Sequence, residues 1–264
     1  MRKLALMLAA AGSVLAISST GASAAGFVNG NFETGNFTGW EQGGGTWGGG
    51  SYPVANDYFP GGPAHNAGSI VNSITNPGFD SRTDGNLRTV YAGAHSARVN
   101  DPVNNYSVSA IRQQVDNYSD NLIGFAYAAV LQDSHGVFDS DAFIITLDDL
   151  TTGLNLLTVN VNSAATPASF TRSSQGWYYT DWTTYSFNVA GAGLLGHDFL
   201  LTLLANDCPY GGHAGYAYLD GFGGVIPPPG GGAIPEPATW AMMIIGFGAA
   251  GSVIRRRRGQ MAIA

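Results

Sequence analysis

Along the central part of this chain, apolar residues recur at every second position over short runs, and Gly, Asn, Ser and Asp interrupt those runs. Phe143, Ile145 and Leu147 alternate in one, Ile123, Phe125, Tyr127 and Ala129 in another, and Phe199, Leu201 and Leu203 in a third. Successive side chains of an extended strand point to opposite faces, so each set turns one apolar face toward a core. The spacing predicts strands over 69–74, 97–99, 108–115, 122–131, 142–147, 154–161, 182–189, 199–204 and 216–222. Many short strands between turn residues, with few helix signals, point to an all-β antiparallel sandwich. Residues 25–226 are long enough for one such domain. Residues 43–51 read as a glycine-rich surface loop.

Both ends depart from this pattern. Arg2 and Lys3 precede an apolar stretch over 4–17, and Ala22-Ser23-Ala24 supplies small residues, so residues 1–24 read as a secretory signal peptide cleaved after Ala24. A retained anchor is the alternative. At the other end, a Pro/Gly linker over 227–234 leads to Pro235-Glu236-Pro237, an apolar run over 238–254, and Arg255, Arg256, Arg257 and Arg258. Such a run can just span a thin hydrocarbon core as a single transmembrane helix. Arginines mark the cytoplasmic side, which leaves the domain outside.

Pro235-Glu236-Pro237-Ala238-Thr239-Trp240-Ala241-Met242-Met243, continuing through Gly246-Phe247-Gly248 to the arginine cluster, resembles the PEP-CTERM sorting signal in its Trp-Ala variant. The resemblance covers residues 235–264. It implies export in a Gram-negative bacterium that makes exopolysaccharide, recognition and cleavage near Pro-Glu-Pro by a membrane-embedded exosortase, and a helix that anchors only the precursor.

Composition narrows the remaining classes. Processing at both ends leaves five basic residues, all arginine, against 17 acidic ones, so the mature body carries about −12. That charge repels nucleic acid and anionic membrane surfaces and suits calcium-rich surroundings, although acidity also serves solubility alone. The single cysteine, Cys208, cannot form an internal disulfide, and stability falls to the core or to a metal. A buried inert thiol or a crosslink between chains are its two ordinary fates.

Val28-Asn29-Gly30-Asn31-Phe32-Glu33-Thr34-Gly35, with Phe37-Thr38-Gly39-Trp40, resembles the opening of galactose-binding-like jelly rolls, which include many carbohydrate-binding modules. Tyr218-Leu219-Asp220-Gly221-Phe222 resembles their last strand. The resemblance implies an antiparallel jelly-roll β-sandwich with first and last strands adjacent, the signal helix and transmembrane helix lying outside it. It also implies a structural calcium held by Glu33, Asp220 and backbone carbonyls. The alternative is a turn carboxylate and an edge carboxylate without metal.

His135, Asp207, Cys208 and His213 carry zinc-compatible side chains, but their spacing matches no finger or zincin pattern. A His among glycines also serves simply to bond the backbone. No nucleophile elbow, His-Glu-x-x-His or phosphate-cradling loop occurs, and the body holds only two glutamates, Glu33 and Glu41. Trp47, Tyr52, Trp177 and Tyr178 are candidate glycan contacts, because a sugar's apolar face stacks on an aromatic ring; ordinary packing under loops is the alternative. The resulting expectation is a non-catalytic surface or matrix protein associated with exopolysaccharide, with an extracellular polysaccharide hydrolase or a calcium-dependent adhesin as rivals.

Overall fold

The computed structural model describes residues 26–229 apart from 133, 134, 165 and 166. The signal segment with Ala24 lies outside the described residues. So does the tail with Pro235, Glu236, Pro237, Trp240, residues 238–254 and Arg255 to Arg258. Among the described residues no helix is long and apolar enough to cross a membrane.

Among the described residues twelve strands follow one another: β1 (Glu41–Thr46), β2 (Ser73–Thr75), β3 (Ser96–Val99), β4 (Ser107–Val115), β5 (Leu122–Leu131), β6 (Ala142–Asp149), β7 (Leu154–Val161), β8 (Thr171–Arg172), β9 (Tyr178–Tyr179), β10 (Thr183–Asn188), β11 (Phe199–Asn206) and β12 (Gly215–Gly223). They form two sheets whose ladders are all antiparallel. The smaller runs β1-β4-β11-β6-β7; the larger runs β2-β3-β12-β5-β9-β8, with β10 also paired to β5.

The alternation seen in the sequence becomes the core. Leu203 on β11 sits opposite Ile111 on β4 and Ile145 on β6, and all three are fully buried. Each such side chain contributes about 2 kcal/mol of transfer free energy. Phe125, Phe143 and Phe199 fill the space between the sheets. The larger sheet is covered on its outer face too. Ala128, Val130, Tyr216 and Tyr218 turn outward from β5 and β12, yet they are buried beneath Leu87, Trp177 and Tyr179. That second layer explains why β5 reads as a near-continuous apolar run rather than a clean alternation.

One expectation needs correction. Gly43, Gly44 and Gly45 are not in a surface loop but form the centre of β1, buried and paired with Ala110, Ser109 and Val108. A neighbouring chain segment lies directly on this strand: a Cβ at Gly43 would sit 2.7 Å from the Tyr58 carbonyl oxygen and one at Gly44 2.9 Å from Ile70 Cγ1. At Gly45 it would overlap the Ala64 carbonyl. Glycine marks close backbone approach here, not flexibility.

The first and last strands are also placed differently from expectation. β1 belongs to the smaller sheet and β12 to the larger. What lies beside β12 is the irregular opening segment, where the Phe222 N–H donates to the Gly30 carbonyl at 3.0 Å. A Cβ at Gly30 would collide with the Phe222 carbonyl, so only glycine permits this meeting of the two chain ends.

Candidate functional site

The opening segment is organised by Asn29, a buried residue at φ 51°. Its amide donates to the carbonyls of Asn36 and Thr38, at 2.8 and 3.2 Å, and its Oδ1 accepts from the Thr34 N–H at 3.3 Å. This knot presents Glu33 to the loop over 91–95. Glu33 Oε1 accepts from the N–H groups of Ala94 (2.9 Å) and His95 (3.0 Å). The carboxylate lies against Gly93, where φ is +78° and any Cβ would strike it.

Asp220 reaches the same loop from the other side. The ladder of β12 shifts register between Asp220 and Gly223, and Gly221 takes φ +61°. Asp220 continues the outward face of Tyr216 and Tyr218 and is buried there beneath the 91–95 loop: Oδ2 accepts from Tyr91 N–H (3.0 Å) and Ala92 N–H (2.9 Å) while Oδ1 accepts from Gly221 N–H (2.6 Å). Glu33 and Asp220 therefore grip one loop. Burial pushes the Asp220 carboxyl up to about 7, against the pull of its three N–H donors, and the Glu33 charge adds to the rise.

A second arrangement occupies the outer face of the larger sheet. A cleft of about 430 Å³ opens between the loop after β2 and the strands β3 and β12. On its floor Asp80 is buried, and its Oδ2 accepts the hydroxyls of Tyr216 (2.7 Å) and Tyr218 (2.8 Å). Its Oδ1 caps the 3-10 turn Ser81–Thr83 by accepting the Arg82 N–H at 2.7 Å. Burial, and then the Asp80 charge, push both phenols above their usual range, so they remain donors. Arg98 lies over the Tyr216 ring at 5.6 Å, and its buried Nε has no hydrogen-bond partner among the described residues. Phe79 lines the same cleft with 65 % of its surface exposed.

Of these cleft residues the sequence pointed to Tyr218 alone, as part of the last-strand motif, and to none as a site residue. The available signals were a lone arginine inside β3, between two buried apolar neighbours, and a Tyr-x-Tyr alternation that places two hydroxyls on one face of β12.

The aromatic candidates separate into two pairs. Trp47 is buried with Tyr58 and Phe59 under β4, and Trp177 is buried against Tyr216, so neither presents a ring face to solvent. Tyr52 is half-buried, packs edge-on to the exposed Phe138, and accepts a hydrogen bond from Asn162 Nδ2 at 2.8 Å. Tyr178 is half-buried beneath the Arg172 guanidinium.

The zinc-compatible residues separate too. Asp207 is fully buried and accepts hydrogen bonds from Asn100 Nδ2, Asn105 N–H, Ser107 N–H, Ser107 Oγ and Gly215 N–H, at 3.0 to 3.3 Å. It is a structural anchor with no capacity left for a metal. His135, Cys208 and His213 do converge, with ligand atoms within 4.8 Å of one another.

Known structures resemble this chain only distantly. A carbohydrate-binding module from Caldicellulosiruptor saccharolyticus, in complex with mannohexaose, is 14% identical with a TM-score of 0.38, over 75% of this chain and 96% of the module. The module TmCBM61, in complex with β-1,4-galactotriose, is 10% identical with a TM-score of 0.36, over 74% of this chain and 94% of that one. The enzymatically active domain of a tailspike protein of bacteriophage CBA120 is 10% identical with a TM-score of 0.33, over 72% of this chain, which spans 20% of the tailspike chain. No curated protein matches the sequence. Residues 233–258 match the PEP-CTERM protein-sorting motif.

Proposed function

We propose that this is an exported precursor, anchored by its tail and released by an exosortase, whose jelly-roll sandwich binds exopolysaccharide without cleaving it. The match at 233–258 supports the sorting half of this reading. Intact mass spectrometry of the native protein from outside the cell is expected to show chains that begin after Ala24 and end near Pro237. Recovery of chains ending at Ala264 would overturn exosortase processing.

The glycan half rests on the cleft beside Tyr216 and Tyr218. It combines an exposed phenyl ring at Phe79 with Asn76, Thr89 and Arg98, the pairing of apolar platform and hydrogen-bonding groups that a pyranose requires. Two of the body's five arginines, Arg82 and Arg98, line it, so carboxylated sugars belong in the ligand class. Calorimetry with exopolysaccharide fractions is expected to show binding that weakens about fivefold to tenfold in Phe79→Ala, the loss of one stacking contact. Unchanged affinity in Phe79→Ala would move the site away from the cleft, and loss in Tyr52→Ala or Tyr178→Ala would relocate it to those half-exposed rings. Released reducing ends would make the protein a hydrolase instead.

Within this reading Glu33 and Asp220, with carbonyls of the opening segment and of the 91–95 loop, hold a structural calcium. The support is that both carboxylates meet one loop although one lies at each end of the domain sequence. Calcium takes six to eight oxygens, so turn carbonyls must supply most of the set.

A further inference from the structure

At one end of the sandwich the connection from β5 to β6 meets the connection from β11 to β12. Cys208 lies two residues beyond the end of β11, and its N–H donates to the His213 carbonyl at 3.0 Å, closing a short loop. Gly211 and Gly212, at φ +79° and +96°, make the reversal that brings His213 back beside Cys208. His135 arrives from the other connection with Nδ1 2.9 Å from Cys208 Sγ and its ring 4.7 Å from that of His213. The sulfur is buried, His213 is half-buried and His135 is exposed.

This donor set has the chemistry and dimensions of a metal site. Two imidazoles and a thiolate suit borderline-soft divalent ions, and tetrahedral zinc spaces its ligand atoms about 3.3 to 3.8 Å apart given its usual bond lengths. Ligand atoms already within 4.8 Å reach that spacing by side-chain adjustment alone. Burial raises the Cys208 thiol pKa, the N–H groups of Tyr210 and Gly211 oppose that rise, and the Asp141 and Asp139 charges add to it. A bound dication reverses the sense of those two carboxylates, which then favour the charged complex. Two imidazoles and one thiolate also suit copper, whose weak axial ligand can be a backbone carbonyl, so copper is one of the outcomes the test must separate.

We propose that His135, Cys208 and His213 bind a zinc ion that clips the two connections together, with a fourth coordination position open to water or an external ligand at the exposed His135 side.

The test is titration of the metal-stripped native protein with Zn(II) and, separately, Co(II). One equivalent of each is expected to bind, Co(II) giving a thiolate charge-transfer band and the intense visible bands of four-coordination, both abolished by Zn(II) but not by Ca(II). Zinc is also expected to raise the melting temperature. His135→Ala, which changes an exposed side chain, is expected to weaken zinc binding more than about tenfold. Cys208→Ser is expected to remove the charge-transfer band, and His213→Ala guards against misfolding of the Cys208 variant. Absence of zinc binding at micromolar concentration would overturn the proposal. So would undiminished binding in both histidine variants, a cobalt spectrum without thiolate character, or binding of copper alone.

Discussion

Asp207→Ala is expected to lower the unfolding free energy by about 3–5 kcal/mol, among the largest effects of any single substitution in this domain. The side chain is fully buried and gathers five donors from three separate stretches of chain, at Asn100, at Asn105 and Ser107, and at Gly215. Truncation strands those donors, and each buried unpaired polar group costs about 1–3 kcal/mol before water enters the hole. For a domain of this size the loss corresponds to roughly 10 °C in melting temperature. Asp207→Asn keeps the shape but turns an NH2 toward other donors, so it should recover only part of the loss. Urea unfolding of the three proteins checks the order, and an alanine variant within 1 kcal/mol of the parent, an estimate of the ordinary surface effect, would refute the anchoring role.

The second large effect concerns pH. Asp220 has a folded-state pKa of about 7, above the ordinary carboxyl value of 3.8. Between those values the folded chain holds a proton that the unfolded chain releases. The contribution of Asp220 to stability is therefore fully present below about pH 4, falls as pH rises toward 7, and is lost above it; the shift corresponds to roughly 4 kcal/mol. Asp207, whose pKa burial also raises, acts in the same direction. Chelator-treated protein should show this decline, and Asp220→Asn should flatten much of it. If calcium occupies the site, adding it at pH 7.5 restores the lost stability, whereas at pH 5 it has little effect because the Asp220 proton competes. A melting temperature indifferent to calcium at pH 7.5 would leave Glu33 and Asp220 as clasps of the 91–95 loop alone. Cys208→Ser should leave this calcium response intact, which separates it from any zinc effect at the opposite connections.

Period-two alternation made most strands legible, and β5 and β7 match the predicted 122–131 and 154–161 at both ends. β1 was not legible, because its three central residues are glycines selected by the chain lying on them, and glycine carries no side-chain periodicity. The site shows the same division. Glu33 and Asp220 could be named because each sits in a local motif, whereas the Asp80 pair with Tyr216 spans 136 positions and leaves no local trace. His135 and Cys208, 73 positions apart, could be named as metal-compatible residue types, but only the folding of two connections onto each other brings them together.

The position of β12 has a mechanical consequence. The strand runs through the middle of the larger sheet, bonded to β3 on one side and β5 on the other, and the chain leaves it toward Pro227 after the bulge at Gly221. A pull on the chain beyond Pro227 acts along the strand and strains both ladders in shear, so many hydrogen bonds must yield together rather than unzip one after another. The Phe222–Gly30 bond adds the opening segment to the same load. Under the proposed sorting route, drag on the precursor while its tail is anchored is thus spread over the sheet rather than concentrated at the tether.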